Sequence, residues 1–179
     1  MDFETLVEEL IDREGGFVND ARDAGGPTRY GITATVARRH GYIGDMRAFP
    51  RAEAIAIYRR LYWLGPGYEK VARLAPRLAA ELFDTAVNMG VGVASGFVQR
   101  ALNALNRNGR DYRDLAVDRA IGPRTLSALE AFLTVRGASG ETVLLKAVEA
   151  LQGARYIDLA ERRPANEAFL YGWLANRIG

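Results

Sequence analysis

The chain has 179 residues, 49% of them apolar, and 24 basic against 22 acidic side chains for a net charge of +2. That is ample for a hydrophobic core and argues against disorder, while the charge excess is too slight for a nucleic-acid binder. With no cysteine and a single histidine, it has no disulfides, no thiolate chemistry and no histidine-based metal cluster.

Twenty-two of the basic residues are arginine, which suggests a GC-rich genome more than a mechanism. Asp2, Glu4, Glu8 and Glu9 make the first residues acidic, unlike a secretory signal with its basic start and apolar run. The longest charge-free run, residues 85–99, is too short and too rich in Gly and Asn to cross a bilayer, so no stable membrane insertion is expected. The expectation is a chain synthesised in the cytoplasm, one domain or one with a small appendage.

Phe3, Leu6, Val7, Leu10 and Ile11 carry the spacing of an amphipathic helix. Three residues further along the stripe stands Glu14, followed by Gly15-Gly16, a strong helix stop. The pattern predicts a carboxylate on the core-facing side of a helix, in its last turn. Burial and the carbonyl end of the helix dipole both disfavour an ionised carboxylate, and a carboxylic acid kept neutral is a candidate general acid. The competing reading is an ordinary solvent-facing glutamate.

Phe17-Val18 and Tyr30-Gly31-Ile32 read as short strands around a turn region, residues 19–29, rich in Asn, Asp, Gly and Pro. Thr33 is placed to cap a short helix, residues 34–40, in which His40 is structural. Residues 51–64 read as a longer helix with Ile55, Ile57, Tyr58, Leu61 and Tyr62 on its apolar face, ending in Tyr62-Trp63-Leu64-Gly65-Pro66-Gly67. Aromatic faces at a helix end stack on sugar rings, though Trp63 fits a core anchor equally well. Residues 77–89 form a further helix. Its polar stripe of Glu81, Asp84 and Asn88 is either a solvated face or buried hydrogen-bonding groups. Helices follow at residues 94–106, 123–133, 141–162 and 165–178, the last with Phe169, Leu170, Trp173 and Leu174 inward.

Residues 14–20, EGGFVND, and 23–33, DAGGPTRYGIT, resemble glycoside hydrolase family 108, the N-acetylmuramidases of phage endolysins and secretion-associated lysozymes. Residues 82–90 and the ending FLYGWLANR resemble the family as well. The VDRAIGPRT segment at 117–125 resembles a loop of its C-terminal, peptidoglycan-binding-like half, with Arg119 where glycine is usual, so that the local turn must differ or carry strain.

The resemblance implies a mainly α, lysozyme-like helical fold with a small β-hairpin beside the catalytic helix. It divides the chain into a catalytic region, 1–90, and a helical C-terminal region, 91–179, packed as one body. It implies cleavage of the β-1,4 bond between N-acetylmuramic acid and N-acetylglucosamine in the glycan strands of bacterial peptidoglycan. Glu14 is then the general acid, and no metal or cofactor is needed.

A second carboxylate is expected on the hairpin. Asp23, nine residues after Glu14 and five before Thr28, approximates the Glu–Asp–Thr spacing of phage lysozymes and is preferred to Asp20, with turn-capping roles as the alternative. Thr28, Tyr30, Tyr62, Trp63 and Asn88 are the candidate substrate-binding residues. A monomer is expected, reaching the wall through a holin-type hole or a secretion route. The competing classes are a lytic transglycosylase, a non-catalytic wall-binding or secretion-assisting protein, and a helical nucleic-acid binder.

Overall fold

Asp2 opens the first helix, accepting from the Thr5 amide at 2.9 Å, and α1 runs Phe3–Glu14. Phe3, Val7, Leu10 and Ile11 are buried along its stripe. It stops where Gly15 takes a φ of 77°, a conformation costly for any residue with a Cβ. The computed structural model describes residues 2–19 and 26–178, in two compact units, Met1–Gly65 and Pro66–Gly179. The fold is mainly α and lysozyme-like, as the sequence implies.

Three two-residue strands follow α1: β1 (Phe17–Val18), β2 (Thr28–Arg29) and β3 (Ile32–Thr33), antiparallel in that order. Phe17 pairs with Arg29, and Arg29 with Ile32. Tyr30-Gly31 is therefore the two-residue loop of a tight hairpin, not part of a strand as the sequence reading had it. Both residues have positive φ, 54° and 73°, the signature of a turn that matches the twist of its flanking strands. The apolar run Tyr30-Gly31-Ile32 concealed that turn. Of the described strand residues Ile32 alone is buried, so the sheet is a rim to the helices and adds little core.

Thr33 caps α2 (Ala34–Arg39) through its hydroxyl, which accepts from the Val36 amide, and His40 ends it. After a short 3-10 turn (Met46–Ala48), α3 (Arg51–Tyr58) passes directly into a π-helix, Arg59–Leu64, closed by the Gly65 amide donating to the Arg60 carbonyl five residues back. The extra residue per turn shifts the inward phase. Ala54, Ile57 and Tyr58 are buried as a helix predicts. The next buried residue is Trp63, five after Tyr58, while Leu61 and Tyr62 stay half-exposed.

In the second unit, α4 (Tyr68–Leu74), unforeseen in the sequence, leads through Ala75 into α5 (Pro76–Met89), with proline in its first turn where the missing N–H is not needed. Then come α6 (Val91–Leu105), α7 (Pro123–Arg136), α8 (Gly140–Arg162) and α9 (Glu167–Arg177). The core stripe of α8 is Leu144, Val148, Gln152, Tyr156 and Ala160, every fourth residue, packed towards α5 and α6. The expected inward face of the last helix is corrected: α9 buries no residue fully, Phe169 is 59% exposed, and Trp173 stacks on Tyr156 of α8 at 5.2 Å. Most of the packing of α9 is against α8, and one main neighbour does not enclose a helix.

Candidate active site

Glu14 is the last residue of α1, and its side chain crosses the face of the Tyr30-Gly31 turn. A Cβ built on Gly31 would sit 3.1 Å from Glu14 Cγ, 3.3 Å from Glu14 Oε2 and 2.3 Å from the Tyr58 hydroxyl. Glycine is thus required there twice over, by its positive φ and by the two side chains that converge on it. The Tyr58 hydroxyl donates to the Tyr30 carbonyl at 3.1 Å, which ties α3 to the turn. Burial, and next the field of the Glu14 carboxylate, push the Tyr58 phenol well above its ordinary value, so it remains a protonated donor.

The expected burial of Glu14 is corrected: the residue is exposed. The apolar stripe reaches position 14 only after the core beneath α1 has ended at Ile11. What lies there is the hairpin turn, which covers one side of the carboxylate and leaves the other open to water. An open carboxylate beside a buried hydroxyl can reach a ligand without any rearrangement of the core.

Tyr30 is held from three directions. Its φ of 54° is strained for an aromatic residue, and its carbonyl is bound by Tyr58. Its ring lies 5.0 Å from the Arg29 guanidinium and 6.0 Å from that of Arg51. Arg51, the first residue of α3, also donates to Glu8 and, at 2.8 Å, to Asp12 on α1. One arginine therefore fixes both the helix that carries Glu14 and the turn that faces it. Sequence reasoning missed Gly31, Arg51 and Tyr58 as site residues. The adjacent Tyr-Gly was the available signal for the turn, and nothing in the sequence marked Arg51.

The other candidates divide. Thr28 is on β2, half-exposed, with its hydroxyl donating to the Gly26 carbonyl at 3.3 Å. Tyr62 is half-buried with its ring 5.8 Å from that of Tyr58, on the same unit as Glu14. Trp63 is 7% exposed and packs on Phe3 at 5.5 Å; the π-helix turns it into the core, where it acts as an anchor. Asn88 is in the second unit, near the end of α5, exposed, with its amide donating to the Asp84 carbonyl and carboxylate. Asp84 in turn pairs with Arg177 at 3.1 Å. Asp20 and Asp23 lie outside the described residues. Among the described residues no cluster of three or more His, Cys, Asp or Glu has the arrangement of a metal site.

In the C-terminal half, Arg119 takes a positive φ of 65° and its amide donates to Gln99 Oε1 at 2.9 Å. A left-handed backbone is strained for arginine, so the turn carries strain.

A helical frame with a three-stranded rim and a carboxylate at their junction is a lysozyme-like arrangement. Residues 7–90 match the family described as Glycosyl hydrolase 108. Residues 93–178 match a family described as Predicted Peptidoglycan domain. Residues 7–90 are thus a glycosyl hydrolase 108 domain followed by a peptidoglycan domain, a pairing that supports a glycoside hydrolase of lysozyme-like, peptidoglycan-directed function. The families divide the chain between residues 90 and 93, whereas packing divides it at Gly65 and Pro66, because α4 and α5 pack with the helices that follow them. A structure of SagA from Brucella abortus is similar at a TM-score of 0.68 and 21% identity, over 97% of this chain and 87% of that one, a likeness of fold. No curated protein matches the chain significantly.

Proposed function

We propose that the protein is an N-acetylmuramidase that cleaves the β-1,4 bond between N-acetylmuramic acid and N-acetylglucosamine, with Glu14 as general acid. The observation that carries this reading is the position of Glu14, exposed to solvent and set against the Gly31 turn, on which the Tyr58 hydroxyl also converges. A sugar laid over Glu14 displaces the water beside it. Glu14 then gives its proton to the glycosidic oxygen as the bond to the muramic acid C1 breaks. Water adds at C1 and its proton passes to a base. Asp23 is the proposed base or nucleophile. Tyr30 and Tyr62 are the proposed stacking residues on the Glu14 unit, and Thr28 a polar contact beside them.

No helix among the described residues is long and apolar enough to cross a membrane. Access to the wall through a holin-type hole or a secretion route is part of the proposal, and so is a role in lysis or wall opening. Expressed alone in a bacterium, the protein should lyse cells only after the membrane is permeabilised. The chemistry is tested by digesting purified peptidoglycan and weighing the fragments. Reducing muramic acid ends are expected. Anhydro ends would assign it to the lytic transglycosylases, and no cleavage at all to the wall-binding proteins.

A further inference from the structure

The segment between α6 and α7, residues 106–122, has no regular structure, yet it is tightly held. Three amide side chains on one face of α6 and its C-cap, at positions 99, 103 and 106, hold it. Gln99 Nε2 donates to Asp118 Oδ1 at 2.7 Å and to the Ala120 carbonyl at 2.9 Å, while its oxygen accepts from Arg119. Asn103 bonds both backbone groups of Leu115, at 2.8 and 2.9 Å. Asn106 bonds Asp114 and the Gly109 amide. Gln99 and Asn106 are each 1% exposed, so these bonds form away from water, where leaving an amide unpaired is costly. The result is a preformed wall with little left to order on binding.

Between this wall and the first turns of α7 lies a groove of about 830 Å³. Its charges are unequal in availability. Asp114 is engaged by Asn106, and Asp118 by Gln99 and the Ala120 amide, which hold the Asp118 carboxyl below the usual carboxylate range. Arg113 on the loop and Arg124 on α7 line the same groove, are exposed, and make no hydrogen bond or ion pair with any described residue. Each acid also lines the groove but has one oxygen engaged by the scaffold, whereas neither guanidinium has a hydrogen-bond partner there. Leu115, between them, supplies an apolar strip.

We propose that this groove binds the acidic stem peptide of peptidoglycan, with Arg113 and Arg124 taking its carboxylates. The proposal rests on peptidoglycan as the substrate and names the part of it held by the C-terminal half. Guanidinium groups match carboxylates in geometry and charge. An extended peptide suits a groove with two separated cations and an apolar strip. A glycan subsite would want stacking faces, and the groove has one aromatic, Tyr112, whose hydroxyl is bound to the Leu102 carbonyl at 2.7 Å. A nucleic acid would want a continuous basic stripe, and the chain carries a net charge of only +2.

The test is a calorimetric titration of the full chain with the tetrapeptide L-Ala-γ-D-Glu-meso-diaminopimelate-D-Ala, with chitotetraose and oligo-dT as controls. Saturable peptide binding is expected, weakened by added salt. Arg113→Gln with Arg124→Gln should weaken it at least about tenfold, with the melting temperature unchanged. Arg113→Lys with Arg124→Lys should restore part of it, since charge returns without the planar fork. No saturable binding of the peptide, equal binding by the Gln double variant, or oligo-dT binding as tightly as the peptide would each overturn the proposal. The titration reads binding alone, so a chain that binds the peptide but cleaves no glycan would leave this proposal standing while the muramidase reading falls.

Discussion

The Tyr58 hydroxyl donates to the Tyr30 carbonyl at 3.1 Å, and this bond links α3 to the turn that backs Glu14. Tyr58 is 2% exposed and its phenol is held protonated, so the donor is always available. Tyr58→Phe leaves the ring in the core and removes only the donor. The half-exposed Tyr30 carbonyl then loses its protein partner, at a cost of about 0.5–1.5 kcal/mol. Thermal denaturation should show the lower melting temperature, and wall clearing should fall with it because the turn no longer fixes Glu14. If both are unchanged, the turn holds itself.

Gly31→Ala meets two obstacles at the same atom: φ is 73°, and the new Cβ would stand 2.3 Å from the Tyr58 hydroxyl. The backbone strain alone costs of order 1 kcal/mol, and the clash adds to it. Because part of the cost comes from that hydroxyl, Gly31→Ala with Tyr58→Phe should be less destabilised than the sum of the single variants. A double-mutant cycle by urea denaturation reads the coupling directly, and strict additivity would show that the clash relaxes by other means.

Glu14→Gln keeps size and removes the transferable proton. Glu14 is exposed and not part of the core, so stability should stay within about 0.5 kcal/mol. Turnover on peptidoglycan should fall about a hundredfold or more. A folded variant that clears walls at the normal rate would remove Glu14 from the chemistry.

Glu81 on α5 was read as part of a polar stripe, and the structure encloses it. Burial, foremost, pushes its carboxyl from 4.5 up to about 7, with Asp84 and Glu149 adding to the rise; the Thr85 hydroxyl, donating to it at 3.1 Å, opposes it. Between those two values the folded chain holds a proton that the unfolded chain has released. This contribution to stability is therefore full below about pH 4.5, is lost as pH rises towards about 7, and is constant above it, an effect of order 3 kcal/mol. Urea denaturation at pH 5 and pH 8 should show a smaller difference for Glu81→Gln than for the parent chain. An unchanged difference would place the pH dependence on other groups.

The helices were legible in the sequence because their information is local. The stripe of α1, its stop at Gly15-Gly16, the Thr33 cap and the proline opening α7 each need only neighbours within a turn or two. The family likewise rested on contiguous residues around Glu14. What the sequence could not carry was phase and company. The π-helix is one residue of extra winding, invisible in a hydrophobic pattern, and it decided that Trp63 enters the core while Tyr62 stays half-exposed. The exposure of Glu14 depends on where the core beneath α1 ends and on the Tyr30-Gly31 turn that lies against it. Gly31, Tyr58 and Arg51 became a site only when α3 met the turn, and contacts across 27 or 28 residues of chain leave no periodic trace. Local rules determined which segments are helices and which carboxylate to suspect; tertiary packing decided what surrounds that carboxylate, because burial and hydrogen bonding depend on neighbours distant in the chain.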